Sequence, residues 1–341
     1  MAASTIAGGA AKPRRPGVSP QDLVLRYGTT SCAVVTAATV FLVAAFLIVY
    51  SYPALRFNGL SILTGMTWNI GNQYGTGVER HGGFVAAPGA SFGAVVFIFG
   101  TIASSALAML IATPLAVLAA VAMHYRVPNR LKTLVNVLVE LMAGVPSVVY
   151  GLWGIGVLVP WISNDLGPFL AARFPNSPLG GGAGSGNGLL ATSLILAIMI
   201  FPIMAATMRD VISRFPKQTF EGAVGLGATT WQSVTSLVLP ALKVPMFASA
   251  MLALGRALGE TMAVLMVCGN ALNLLPQNIF APVNTIAAAI VSQLDSALTD
   301  PTGMAERTLA ELALILFAIT LSVNLVARLI MRGSDRVKRT A

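Results

Sequence analysis

The segment from Glu221 to Glu260 reads EGAVGLGATTWQSVTSLVLPALKVPMFASAMLALGRALGE. Its first half is polar and amphipathic and ends at Pro240. Its second half is apolar and carries two charged residues, Arg256 and Glu260, near the middle of a hydrophobic run. This order predicts a segment at a membrane surface followed by a helix that crosses the membrane. The rest of the chain is arranged around these two parts.

The composition is that of a protein embedded in lipid. The chain has 341 residues, of which 56% are hydrophobic and only 10% are charged, whereas soluble domains contain about 25% charged residues. Several apolar runs reach the roughly 20 residues that a helix needs to cross a bilayer. These runs are continuous rather than alternating, which favours helices over a barrel. We therefore predict an all-α integral membrane protein with six transmembrane helices.

The hydrophobic runs define the predicted spans and the segments between them. We place the six spans at 31–52, 92–123, 134–161, 189–208, 241–268 and 312–331. The second run is longer than one crossing needs, so it is tilted, broken near Pro114, or begins outside the hydrocarbon core. The first run is too long for the apolar core of a signal peptide, and we expect a retained span. The chain then divides into a tail at 1–30, a first span with its outer loop at 31–90, a main domain at 91–332 and a basic tail at 333–341.

The positive charges set the orientation. Of the 21 Lys and Arg residues, 16 lie in the two terminal segments and in the second and fourth connections between spans, while four lie in the opposite loops. Such an excess marks the cytoplasmic side. Both termini and the loop at 209–239 are therefore predicted to be cytoplasmic, and the net charge of +9 reflects topology rather than nucleic-acid binding. The two histidines, His81 and His124, are too few for a usual metal site.

The loop at 209–239 has the signals of a helix, a turn and a second helix. Pro216 suits the first turn of a helix, and Gly225 and Gly227 permit a sharp bend. Thr229 or Thr230 can cap a second helix that runs towards Pro240. An ordinary pair of interfacial helices would have the same pattern.

No stretch matches the Gly-x-x-x-x-Gly-Lys-Ser/Thr pattern that cradles nucleotide phosphates. The glycine-rich stretch at 180–188 contains no lysine and is typical of a flexible linker. We therefore do not expect this chain to hydrolyse ATP. A membrane-embedded enzyme would also need a nucleophile or metal constellation within the spans, which is not evident.

Three charged residues in or near the spans are candidate site residues. A charge at the centre of a span costs roughly 2.5–3.5 kcal/mol, so Arg256 and Glu260 require an explanation. Four residues apart, they would share one face of a helix and either neutralise each other or present Arg256 to an anion, whose oxygens match the guanidinium fork. Glu140 precedes Gly144 and Pro146, which weaken the helix, and interrupted helices often build solute sites. Alternatively, Glu140 extends to the inner interface.

Part of the amphipathic segment resembles the EAA loop of ABC-importer permeases. The matching residues are Glu221, Gly222, Ala223, Gly227, Leu237, Leu239 and Pro240. Two positions depart from the family pattern, because Gly222 stands where the first Ala is usual and Leu237 where Ile is usual. The resemblance implies a coupling helix that sits in a groove of a separate ATPase subunit, which would bind ATP and Mg. A passive channel would have no use for such a loop.

A second stretch, Leu254 to Val264, resembles the permeases of phosphate-specific ABC importers. Its Glu-Thr-Met-Ala-Val is closer to the PstC type than to the PstA type, and Glu140 to Trp153 and Phe92 to Thr101 resemble the same family. The resemblance covers about 92–331. It implies a type I importer (MetI-like) permease fold in a bacterial cell membrane, with Arg256 and Glu260 at positions important for phosphate passage.

The resemblance also implies partners. These are a PstA-like permease as the other half of a heterodimer, a dimer of PstB-like ATPases and a PstS-like phosphate-binding protein received by the outer loops at 53–90, 162–187 and 269–310. A PstA-type subunit, or a permease for another oxyanion such as sulfate or molybdate, is the nearest alternative.

Overall fold

The computed structural model describes residues 20–75, 77–175, 177–181 and 184–337. Of the predicted N-terminal tail at 1–30, residues 1–19, with Lys12, Arg14 and Arg15, lie outside the described residues, whereas residues 20–30 already belong to the first helix. The end of the basic tail, 338–341, also lies outside the described residues. The chain forms two units, Met1–Phe46 and Leu47–Ala341. In the first unit, helix α1 (Pro20–Asn58 in full) exposes large apolar side chains such as Phe41, which is 76% exposed. Such a surface suits a lipid environment.

The segment between α1 and the next long helix is folded, although the sequence predicts only a loop there. It contains a short helix α2 (Ser61–Thr64) and two small antiparallel pairs. Strand β1 (Trp68–Asn69) pairs with β4 (Ser91–Phe92), and β2 (Glu79–His81) pairs with β3 (Phe84–Ala86). The Trp68 ring is buried edge-on against Phe92 and Phe97, with ring centroids 5.3 and 5.4 Å apart. Aromatic burial therefore orders this outer segment.

The centre of the second unit is a close pair of long helices. Helix α3 covers Val95–Val121 and continues through a wider turn at Ala122–Arg126. It packs along the helix Leu189–Ser213, labelled α6. The contact face of α3 carries alanine at every fourth position, and all four are fully buried: Ala108, Ala112, Ala116 and Ala120. Small side chains at this spacing let two helix backbones approach closely in a membrane. The helix passes through Pro114 unbroken, so a break there is excluded.

The predicted third span at 134–161 is wrong. The chain instead forms α4 (Asn129–Gly144), which has no buried residue, and then α5, which starts at Ser147 and extends with wider turns to Arg173. Val145 is extended, with φ −64° and ψ 131°, because the ring of Pro146 disfavours helical geometry at the preceding residue. The candidate span is therefore Ser147–Arg173. The predicted outer loop at 162–187 accordingly begins only after that helix.

The remaining helices follow in chain order. They are α6 (Leu189–Ser213), α7 (Lys217–Gly225), α8 (Thr230–Ala241), α9 (Lys243–Leu258), α10 (Met262–Val267), α11 (Ile286–Leu298) and α12 (Met304–Val337). The axes of α8 and α9 meet at 73°. Over the described residues, five helices are long and apolar enough to cross a membrane, or six if the α8–α9 pair counts as one. The predicted fifth span at 241–268 is thus interrupted at 259–261, and the predicted sixth lies within α12.

Candidate functional site

The helix–turn–helix predicted in the cytoplasmic loop is present. Pro216 directly precedes α7, and Gly227 closes the turn with a φ of +92°, which favours glycine. Thr229 caps α8, because its Oγ1 accepts a hydrogen bond from the Gln232 backbone N–H at 3.2 Å. The Thr229 N–H donates to Gln232 Oε1 at 2.8 Å. This reciprocal cap fixes the start of α8, so the prediction for the local structure is confirmed.

One face of this helix–turn–helix carries an apolar patch that no other described part of the chain covers. Leu226 is 93% exposed, Trp231 56% and Val224 44%. Glu221 is exposed beside them, and nothing lies within 4 Å of a Cβ built on Gly222. Exposed apolar patches of this kind mark interaction surfaces, for another protein or for a membrane. The EAA-like residues Glu221 to Gly227 therefore lie on a free face.

The same helix–turn–helix is attached to the membrane helices at its other side. The Phe220 ring stacks on Tyr125 at the inner end of α3, with centroids 4.6 Å apart and planes 23° apart. In α8, Val234 and Val238 are buried, and Val238 belongs to the core that α3, α6 and α9 share. Leu239 packs against this core, and Pro240 is exposed beside it. The helix–turn–helix therefore contacts α3 through the Phe220 ring and continues into α9 through the 73° bend.

Arg256 is at the inner side of a break between α9 and α10. It lies in the last turn of α9 and is exposed, a position where the C-terminal end of the helix dipole favours a cation. Over the part of the chain that the structure describes, its guanidinium has neither an ion pair nor a hydrogen bond. All of its donors are thus available to a ligand or to a partner chain.

The predicted shared helix face of Arg256 and Glu260 is wrong. Helix α9 ends at Leu258, and the Glu260 N–H donates only to Ala257 O at 3.3 Å in the turn that follows. Gly259 interrupts the helix because glycine loses more conformational freedom in a helix than other residues do. No ion pair joins Arg256 to Glu260 among the described residues. Mutual neutralisation of these two charges is thus not how the chain accommodates Arg256.

Glu140 is not brought to Arg256. Its Oε1 accepts a hydrogen bond from Arg209 Nη2 on α6 at 3.3 Å, and Arg209 Nη2 also donates to Asp210 Oδ1 at 2.9 Å. The Arg209 side chain is only 16% exposed, whereas that of Glu140 is 59% exposed. In the sequence, Arg209 is only one of the positive charges that set the orientation. Its pairing with Glu140, 69 positions away, depends on how α4 packs against α6 and has no local signature.

A second break lies between α4 and α5. The Tyr150 hydroxyl on α5 donates to Met142 O at 2.8 Å and so satisfies a carbonyl at the open end of α4. Helices α5 and α10 approach closely, because a Cβ on Gly151 would lie 3.1 Å from the Ala263 Cα. The two interrupted helices therefore meet at Gly151 and Ala263, and Tyr150, which no local sequence signal identifies, closes one of the two breaks.

The described residues contain no group of three His, Cys, Asp or Glu side chains able to hold a metal ion. The site consists instead of two parts, the exposed helix–turn–helix and the break at Arg256. The guanidinium at the second of these parts can donate to the oxygens of an anion.

The chain is similar to known membrane transport proteins. Residues 112–339 match the family described as binding-protein-dependent transport system inner membrane component. The phosphate transport system permease protein PstC 1 of Mycobacterium tuberculosis and that of Mycobacterium bovis are each 46% identical over 299 residues, which covers 86% of this chain and 87% of theirs. PstC of Mesorhizobium japonicum is 35% identical over 318 residues, covering 92% of this chain and 91% of its own.

Among solved structures, an inward-facing MetNI methionine ABC transporter is similar, with a TM-score of 0.49 and 14% identity, over 70% of this chain and 94% of that one. The matched family consists of inner membrane components, and the apolar helices described above are consistent with that location. The chain therefore belongs to the family of binding-protein-dependent transport system inner membrane components, and within it to the PstC type of permease.

Proposed function

We propose that this chain is one of two membrane subunits of an ATP-driven importer of inorganic phosphate. The observation that carries the proposal is Arg256, an exposed guanidinium without a partner among the described residues, at a break in a membrane helix. A guanidinium stays charged at all physiological pH values and its planar fork matches two oxygens of an oxyanion. The PstC relatives are named for phosphate transport, which favours phosphate over other oxyanions.

In this proposal Arg256 holds the anion only briefly. The anion meets Arg256 where α9 and α10 are interrupted, beside the break that Tyr150 closes. Glu260 follows Arg256 by four positions and is partly exposed. Its negative charge lowers the attraction of this region for an anion, which lets the anion leave towards the cytoplasm. A transporter needs such a balance, because an anion held tightly by several cations would not be released.

The energy comes from a separate ATPase pair, which binds ATP and Mg. Its groove receives α7 and the turn to α8, with Glu221 and the exposed Leu226 at the contact. Closure of the two ATPase subunits moves the helix–turn–helix, which is attached to α3 by Phe220 and Tyr125. The motion reaches α9, and hence Arg256, through the bend after α8.

The complete importer contains three further components. A PstA-like permease forms the other wall of the path, a PstB-like dimer supplies ATP hydrolysis, and a PstS-like binding protein delivers phosphate. The binding protein is received at the outer side, where β1–β4 and the turn after α11 lie.

The proposal is tested by phosphate uptake with Arg256→Gln. The variant is expected to assemble with its ATPase and second permease but to lose most uptake. Wild-type uptake by the assembled variant would remove the anion-binding role. Competition with unlabelled sulfate and molybdate in the wild-type complex tests the substrate, because a permease for either anion would show strong inhibition.

A further inference from the structure

A groove of about 500 Å³ lies at the inner ends of the membrane helices, between α3, α6, α8 and α9. Its volume is within the range of about 300–1,000 Å³ that is typical of ligand sites. Its walls are mostly apolar and include Val117, Met208, Leu239 and Phe247. Val117 lies nine positions before Arg126, about 13 Å along the helix axis. The groove is therefore at the depth of the cytoplasmic lipid leaflet.

The groove lies on a different side of α9 from Arg256. Helical residues are about 100° apart around the axis, so the groove residues Met246, Phe247 and Ala250 lie on average roughly 130° from Arg256. If Arg256 faces the path shared with a second permease, as proposed above, the groove faces away from that path. Lipid is then the expected neighbour of the groove, and this step depends on the proposed function.

The mouth of the groove carries a positive charge. Lys243, the first residue of α9, lines the groove and is exposed. Within the described ranges its ammonium has no ion pair and no hydrogen bond. Thr235 lies beside it and donates its hydroxyl to Trp231 O at 2.9 Å, which leaves its oxygen able to accept. A single cation above an apolar wall is complementary to an anionic headgroup above an acyl chain.

We propose that this groove binds one anionic phospholipid of the cytoplasmic leaflet. One acyl chain lies along Val117, Met208 and Phe247, and the headgroup phosphate contacts the Lys243 ammonium. The groove is bordered by α8, which the ATPase moves in the proposed cycle, so an acyl chain there would keep water out of the bend between α8 and α9. The Lys243 charge raises the affinity of the groove for an anionic lipid about fivefold, as is typical for one lysine at an anionic leaflet.

The occupant is identified by placing a photoreactive benzoylphenylalanine at Phe247 in the full-length chain, in its native membrane. After irradiation, the intact chain is weighed by mass spectrometry. An adduct with the mass of an anionic phospholipid is expected. An adduct with another protein, or no lipid adduct at all, would overturn the proposal, because the groove would then be covered by a partner or remain closed.

The role of the charge is measured in nanodiscs of phosphatidylcholine and phosphatidylglycerol in equal amounts, with the assembled complex. Lys243→Gln is expected to lower the phosphatidylglycerol adducts at position 247 about fivefold relative to phosphatidylcholine adducts. Arg130→Gln, which removes an exposed cation of the same surface outside the groove, is expected to leave the ratio unchanged.

An equal effect of both variants, or none from Lys243→Gln, would refute a specific headgroup contact. Excess inorganic phosphate should not displace the lipid, and displacement would show that Lys243 serves a soluble anion instead. None of these readouts uses phosphate uptake, so a failure of this proposal is distinguishable from a failure of the proposed transport function.

Discussion

Replacement of Arg256 by glutamine is expected to slow phosphate uptake roughly 10- to 100-fold. Hydrogen bonds to charged groups contribute about 1.5–3 kcal/mol each. We take only one such contact as lost, because Arg256 is exposed in this chain and water screens part of its charge. Glutamine is uncharged and shorter than arginine, so the loss reports the charge and the reach of the guanidinium together, and Arg256 is exposed, so no buried cavity is created.

The assay is uptake of radiolabelled phosphate into proteoliposomes that contain the whole complex, with ATP on the ATPase side and binding protein on the other. The loss is expected in the maximal rate, while the half-saturating phosphate concentration stays near that of the wild type, because the binding protein captures the phosphate. ATP hydrolysis stimulated by the loaded binding protein is measured in parallel and should persist, since Arg256 is not one of the residues proposed to dock on the ATPase.

Two matched variants separate the possible causes. Arg256→Lys keeps the charge but not the planar fork, and is expected to fall between the wild type and Arg256→Gln. Arg130→Gln removes an exposed cation elsewhere and should transport normally. Uptake at the wild-type rate by assembled Arg256→Gln would refute the reasoning. Equal loss in Arg256→Lys and Arg256→Gln would refute the part that depends on charge.

Three further predictions concern the contacts that surround this site. Glu221→Ala is expected to reduce the amount of ATPase that co-purifies with the chain, and unchanged co-purification would contradict the docking role of α7. Phe220→Ala removes a stacked ring pair, which contributes about 0.5–1.5 kcal/mol. Less phosphate should then be transported per ATP hydrolysed, while the ATPase still associates. An unchanged ratio of phosphate to ATP would exclude this contact from coupling. Glu140→Gln removes one partner of Arg209, whose other partner Asp210 remains. The Glu140 side chain is more than half exposed, so the loss is at most about 1 kcal/mol and uptake is expected to stay near the wild-type rate. A large loss of uptake by the assembled variant would contradict this and would support a place for Glu140 in the phosphate path.

The sequence predicts the cytoplasmic helix–turn–helix well because its determinants are local. A proline before α7, Gly227 at a positive φ and the Thr229 cap all act within a few positions of the residues they order. Membrane residence follows equally directly from composition. These features need no knowledge of which helices pack together.

Features that depend on packing or on a break were not predictable to the same degree. The hydrophobic run at 134–161 is continuous in composition, but Pro146 divides it, and the crossing is made by residues further along, Ser147–Arg173. The prediction that Arg256 and Glu260 share one helix face assumes an unbroken helix, but the helix ends at Leu258, just before Gly259. The Glu140 partner on α6 depends on tertiary contacts alone.

The two interruptions of the predicted fifth span, before Lys243 and after Leu258, are also what the proposed mechanism requires. An unbroken helix at 241–268 would behave as a rigid rod. A displacement of the helix–turn–helix would then move Arg256 by the same amount. The 73° bend before Lys243 converts a push along α8 into a tilt of α9, and the interruption after Leu258 lets α9 tilt while α10 stays packed on α5 through Gly151. Arg256, in the last turn before that interruption, is then the charged residue that moves relative to the fixed wall. A substitution that stiffens the interruption, such as Gly259→Ala, should therefore slow transport without changing the affinity of the complex for its ATPase.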